Sequence, residues 1–168
     1  PAAIAVVNPK LDTKSCFQSL AGVGVAFKLA QALALKLDLP NKYIKDLLDL
    51  TALGTIADVV PLLNENRILV KHGLTMLNQL KRPGIKALVE AAGLENKKLT
   101  TGHVAFGIAP RINAVGRLGD ASSAVELLLT DSEQTALELA TILSRENSER
   151  QLVELEIYKE ACERIEKE

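Results

Sequence analysis

The sequence has 168 residues, 48% apolar and 24% charged, with 20 Lys plus Arg against 21 Asp plus Glu and a formal net charge of −1. That balance excludes a disordered chain, and the length suits one domain or a domain with an appendage. The longest apolar run, residues 20–27, is far shorter than the roughly 18 residues of a membrane span, so no membrane association is expected.

The first element is a short strand over residues 3–7 (AIAVV), ended by Asn8-Pro9, and the start of the chain carries no signal-peptide pattern. Ser19 is the expected N-cap of a helix over 20–37 that stops before Pro40, with Gly22 and Gly24 allowing close approach in its first turn. A second helix is expected over 42–55, and a third over 64–80 with Ile68, Leu69, His72 and Met76 at helical spacing. Pro83-Gly84 opens a short helix that Gly93 closes.

A helix over 100–106 is expected to end before Pro110, followed by a glycine-punctuated loop over 110–119 (PRINAVGRLG). Asp120 then caps a helix through Leu129. Residues 132–168 contain neither glycine nor proline and read as one long helix. Its far half is too charged to bury much, which suits a connector or dimerising arm. The expected division is therefore a lobe over 1–131 and a connector over 132–168. One strand cannot satisfy its own backbone hydrogen bonds, so the pattern reads as part of a larger α/β protein.

Near-neutral charge argues against a general nucleic-acid coat, but the average hides two unlike regions. Residues 67–119 hold nine basic and two acidic residues, a net +7, which leaves −8 for the remainder. Such segregation suits either a polyanion-facing surface or solvated helix faces. Cys16 and Cys162 lie far apart without metal-ligand spacing and read as reduced thiols, which implies a cytoplasmic protein. With three Phe, two Tyr and no Trp, a base-stacking platform is disfavoured.

Asp58 is the most suggestive acid, because it stands in an apolar run (LGTIADVVPL) where an ionised carboxylate is costly unless paired, hydrogen-bonded or metal-bound. It reads as a metal ligand or as a cap on a neighbouring turn. Asp49, nine residues earlier, reads as a satisfied surface carboxylate. Arg111, Asn113 and Arg117 fall in the glycine-punctuated stretch, where arginine forks and free N–H groups can hold phosphate. The competing reading has the arginines satisfying helix C-terminal carbonyls. His72 reads as a partly buried helix residue, and His103, near a helix start, as a weak phosphate contact.

Three blocks, residues 20–29 (LAGVGVAFKL), 48–62 (LDLTALGTIADVVPL) and 106–121 (FGIAPRINAVGRLGDA), resemble in order the RecJ family of DHH phosphoesterases. The resemblance implies an α/β DHH lobe of which this chain supplies a mainly helical part. It implies a 5′→3′ single-stranded-DNA exonuclease of repair and recombination, hydrolysing phosphodiesters with two Mn²⁺ or Mg²⁺ ions, with single-strand-binding protein and a helicase as further partners.

Among that family's metal ligands only the fourth-motif aspartate carries over, onto Asp58. Arg111, Asn113 and Arg117 match its arginine-containing loop, which implies phosphate contact. No Asp-His-His signature occurs, so the chain alone is expected to be inactive. The long helix resembles the connector to a second lobe. Two other readings stay open: a related phosphodiesterase of short oligonucleotides or cyclic dinucleotides, and a non-catalytic helical module that binds DNA or protein.

Overall fold

A computed structural model describes residues 3–11, 17–118 and 121–167, with backbone only for Arg117 and Leu118. The described residues are helical, and no strand occurs among them. Residues 3–7, expected as a strand, form no regular element, with a bend at Ile4, and Ile4, Val6 and Val7 are exposed. With no second strand beside it, the segment has nowhere to place its ladder hydrogen bonds.

The chain divides into two compact units, Pro1–Leu80 with Lys98–Ala105, and Lys81–Lys97 with Phe106–Glu168. This division does not coincide with the boundary expected at 131/132. The early part of the last helix packs on its neighbours and so clusters with them.

The first unit is built on α1 (Gly22–Lys36), α2 (Asn41–Lys45), α3 (Leu48–Ala57) and α4 (Asn64–Leu77). Ser19 does not cap α1; its N-cap is Ala21, without a side-chain bond. The single helix expected over 42–55 is broken by a turn at Asp46-Leu47 into α2 and α3. Helix α3 is buried on several sides. Thr51 and Thr55 permit this by donating their hydroxyls back to the carbonyls of Leu47 (2.8 Å) and Thr51 (2.7 Å).

Helix α4 is amphipathic, with Asn66, Leu69, Val70, Gly73 and Leu77 inward and Arg67, Lys71 and the exposed His72 outward. It meets α3 at Gly73, where an added Cβ would lie 2.2 Å from the Leu48 carbonyl oxygen and 2.4 Å from Ala52 Cβ. Beyond α4, the Asn78 side chain clamps Leu99, donating to its carbonyl (3.1 Å) and accepting from its N–H (2.8 Å).

The second unit contains α5 (Pro83–Ala91), α7 (Ala109–Leu118), α8 (Ser122–Leu129) and α9 (Glu133–Ile165). Pro83 starts α5, and Gly93, at φ +65°, ends it as the sequence predicts. Gly84 lies against the Leu127 carbonyl, where a Cβ would come within 1.8 Å of the oxygen. The proposed cap Asp120 lies outside the described residues. Ser132 caps α9 by accepting from Thr135 N–H (3.2 Å). Ala136, Ala140, Leu143 and Asn147 form its buried stripe. Residues 151–161 are exposed, and the pairs Arg150–Glu154 (2.8 Å) and Arg164–Glu160 (2.6 Å) lie along the surface.

The loop expected over 110–119 is mostly helix. A short helical turn, α6 (Thr101–His103), runs into a π-helical turn (Val104–Ile108) and then α7, which contains Pro110 near its start. Proline has no N–H and its ring crowds the carbonyl four residues back, so an ordinary α-turn is strained there. The wider π-turn provides the extra room that lets the helix continue. Reading Pro110 as a stop signal missed that accommodation.

The close contact at Gly73 gives a stability test. Gly73→Ala should destabilise the protein by about 1–3 kcal/mol through overpacking, read as a lower denaturation midpoint. Gly22→Ala, with nothing within 4 Å of the new Cβ, should be neutral or stabilising by up to about 1 kcal/mol. Equal effects of the two changes would contradict the packing described.

Candidate functional site

Asp58 is the C-cap residue of α3, where its N–H bonds the Gly54 carbonyl at 3.0 Å. Its side chain is exposed and makes no hydrogen bond or ion pair among the described residues, so it does not act as a side-chain cap. The last carbonyls of a helix carry partial negative charge, and a carboxylate there opposes the helix dipole by about 0.3–1 kcal/mol. A cation beside Asp58 would be attracted by both. The local electrostatics therefore suit cation binding.

The next residue sharpens the geometry. Val59 has φ +54°, the left-handed conformation, and is 85% exposed. For an L-residue that conformation costs roughly 1–2 kcal/mol, and a β-branched side chain is an outlier in it. Val59 N–H bonds the Ile56 carbonyl at 3.2 Å, turning the chain sharply away directly after the acid.

Asn66, in the first turn of α4, is fully buried. Its Nδ2 donates to the Pro61 carbonyl (3.0 Å) and to the Ser19 carbonyl (2.7 Å), while Oδ1 is buried without a partner among the described residues. An unsatisfied buried acceptor costs about 1–3 kcal/mol. Sequence reasoning passed over Asn66, and its partner 47 positions away left no local signal.

Asp49 is buried rather than a surface carboxylate, and it accepts from Leu50 N–H at 2.7 Å. His103 is half-buried, its N–H bonded to Thr100 Oγ1 at 3.3 Å and its Nδ1 buried without a partner. Asp58, Asn66 and His103 belong to the first unit, and Arg111, Asn113 and Arg117 to the second.

Within the second unit Arg111 is a fork. Its Nη1 donates to the Gly107 carbonyl, its Nη2 to the carbonyl of Ala91, the last residue of α5 (3.1 Å), and its Nε to Ser144 Oγ on α9 (3.2 Å). Burial lowers its pKa from the ordinary guanidinium value. Of the two roles the sequence allowed, satisfying helix carbonyls is the one occupied here. Asn113 is exposed, and position 117 follows it by one helical turn on α7, a relation that a loop reading hides. The Arg117 side chain lies outside the described residues. Elsewhere in the basic segment, Lys86 pairs with Glu133 at 3.1 Å, which raises the Lys86 pKa, while Arg67 and Lys71 are exposed on α4.

No group of three or more His, Cys, Asp or Glu side chains converges to hold a metal ion among the described residues. One carboxylate is too few for Mn²⁺ or Mg²⁺, which take about six oxygen ligands. Asp58 can supply one ligand, and the residues present do not make a complete site.

Comparison with known proteins gives a consistent result. No protein-family model matches the chain. The single-stranded-DNA-specific exonuclease RecJ of Escherichia coli is 44% identical over 183 residues, covering 99% of this chain and 31% of that protein. RecJ of Bacillus subtilis is 43% identical over 165 residues, covering 98% of this chain and 20% of that protein. The chain thus spans about a third or less of the length of these curated relatives.

A crystal structure of Thermus thermophilus RecJ with Mn²⁺ matches with a TM-score of 0.81 and 42% identity, over 90% of this chain and 22% of that one. A structure of exonuclease RecJ bound to manganese matches with a TM-score of 0.83 and 43% identity, over 92% of this chain and 39% of the other. Sequence and fold agree: over the stretch it spans, the chain is similar to RecJ exonucleases from end to end.

Proposed function

We propose that this chain is part of a RecJ-like enzyme that hydrolyses single-stranded DNA from the 5′ end with two Mn²⁺ or Mg²⁺ ions, in repair and recombination. The observation that supports this reading most is Asp58, an exposed, unpaired carboxylate held at the negative end of a buried helix. In two-metal phosphodiester hydrolysis the ions activate water and stabilise the charge on the attacking and leaving oxygens. Asp58 contributes one oxygen ligand to that arrangement, with the other ligands supplied from outside this stretch.

Asn113 and Arg117 are the proposed phosphate contacts on α7, and His103 a further one. Arg111 supports them by tying α7 to α5 and α9. Contacts of this kind hold a DNA backbone without reading its sequence, as an exonuclease requires. In the whole protein, residues 3–7 would pair as a strand of an α/β sheet and α9 would lead to a second lobe. Single-strand-binding protein and a helicase are the proposed partners, in the cytoplasm. Among the described residues no helix is long and apolar enough to cross a membrane.

Two experiments test this. In the whole protein, Asp58→Asn should abolish Mn²⁺-dependent nucleotide release from single-stranded DNA. Removing charge from the helix end should leave thermal stability unchanged or raise it by up to about 1 kcal/mol. Normal turnover in that variant would remove Asp58 from the site. This chain alone should release nothing under the same conditions.

Arg111→Ala should cost about 1–3 kcal/mol of stability by leaving carbonyls unpaired. Asn113→Ala with Arg117→Ala should change stability by no more than about 0.5 kcal/mol while weakening DNA binding and flattening its salt dependence. Binding by the double variant that matched the unmodified protein at every salt concentration would refute the proposed phosphate contact.

A further inference from the structure

We infer that Asn66 is a positioning residue for Asp58, acting as a clamp on the strained turn that presents the carboxylate. The inference rests on the reading of Asp58 as a metal ligand and adds to it the residue that holds the ligand in place.

The end of α3 differs from two other helix ends of the chain. At α1 the left-handed residue is Asp38 (φ +49°), and Leu39 N–H closes the turn onto the Ala34 carbonyl at 2.9 Å. At α5 it is Gly93, and Leu94 N–H closes onto the Val89 carbonyl at 3.0 Å. Aspartate and glycine both tolerate that conformation. At α3 the position is taken by a valine and at α4 by Leu80 (φ +49°), and their N–H bonds to Ile56 and to Leu77 (3.1 Å) are not joined by the closing bond seen at the other two; of the four, only Val59 is β-branched.

Packing does not hold Val59 either, because its side chain is 85% exposed. A β-branched residue left to itself relaxes toward the extended region. Something beyond the turn must prevent this.

The restraint lies two residues further on. Asn66 Nδ2 places its two hydrogens on two carbonyls, Pro61 and Ser19. Rotating the amide by half a turn would aim Oδ1 at both acceptors, so this orientation alone satisfies them. Pro61 has its φ fixed by its ring, and Val60, preceding a proline, is confined to extended conformations. Between Asp58 and the clamped carbonyl, Val59 is therefore the joint with a second accessible conformation. Holding Pro61 keeps Val59 left-handed. Releasing Pro61 lets Val59 relax and swings the chain at Asp58. The clamp also reaches Ser19, just before α1, so it ties the turn to a second element of the same unit.

The test uses the whole protein carrying Asn66→Ala, with Asn66→Ser as a milder variant that keeps a polar group but is too short to reach both carbonyls. Hydrogen–deuterium exchange should show the amides of Val59, Val60, Leu62 and Leu63 exchanging about ten-fold faster or more, with α5 and α8 unchanged. Mn²⁺ affinity, read from free Mn²⁺ by electron paramagnetic resonance, should fall by about ten-fold or more. Adding Val59→Gly should recover part of that affinity, because glycine enters the left-handed conformation without strain.

A lower melting temperature with unchanged exchange at 59–63 and unchanged Mn²⁺ affinity would reduce Asn66 to a core residue and overturn the inference. Faster exchange with undiminished affinity would support the clamp but refute Asp58 as a ligand. The two failures are therefore distinguishable.

Discussion

A carboxylate at the C-terminal end of a helix faces the wrong partial charge, and a valine in a left-handed turn faces the wrong sterics. Both occur in succession at the end of α3, at Asp58 and Val59. Each is unfavourable by itself, and neither is relieved by packing or by a side-chain partner. Strain of this sort persists when the surroundings enforce it, and it clusters where a protein binds or reacts. The rest of the first unit can be understood as what makes that end of α3 tolerable. Helix α3 is buried on several sides, its threonine hydroxyls are turned back onto its own carbonyls, and Gly73 lets α4 seat closely against it. The rigidity of this pair gives Asn66, at the start of α4, a fixed point from which to hold Pro61.

The second unit solves a different problem. Its arginine-containing stretch is not a free loop, because the π-turn before Pro110 carries the chain on as helix. Arg111 then uses its planar fork to collect carbonyls from α5 and from the π-turn, together with a hydroxyl on α9. The basic segment thus has a structural part and an outward part. Arg111 and Lys86 are engaged within the protein, whereas Asn113 on α7 and Arg67 and Lys71 on α4 face solvent. The +7 charge of residues 67–119 exceeds what is available to a polyanion.

Local signals in the sequence were enough for many helix limits. Ser132, Pro83 and Gly93 act where capping chemistry and backbone freedom place them. Asp58 stands out in the sequence because an acid inside an apolar run needs a reason. The misreadings came from interactions that sequence distance conceals. Pro110 reads as a breaker unless the π-turn before it is known. Asp49 reads as a surface carboxylate because acids are seldom buried, yet α3 is covered on that side as well. Asn66 carries no motif at all, and its role depends on Ser19, far away in the chain. The strand expected at 3–7 needs a neighbour that these residues do not supply.

The central claim is that the end of α3 is a metal-binding corner. A crystal structure of the whole protein with Mn²⁺, with anomalous scattering measured at the manganese edge, tests it most directly. The account predicts an anomalous peak within coordination distance of an Asp58 carboxylate oxygen, with Val59 left-handed and Pro61 held by Asn66. Manganese bound elsewhere, with the Asp58 carboxylate turned to solvent, would contradict it.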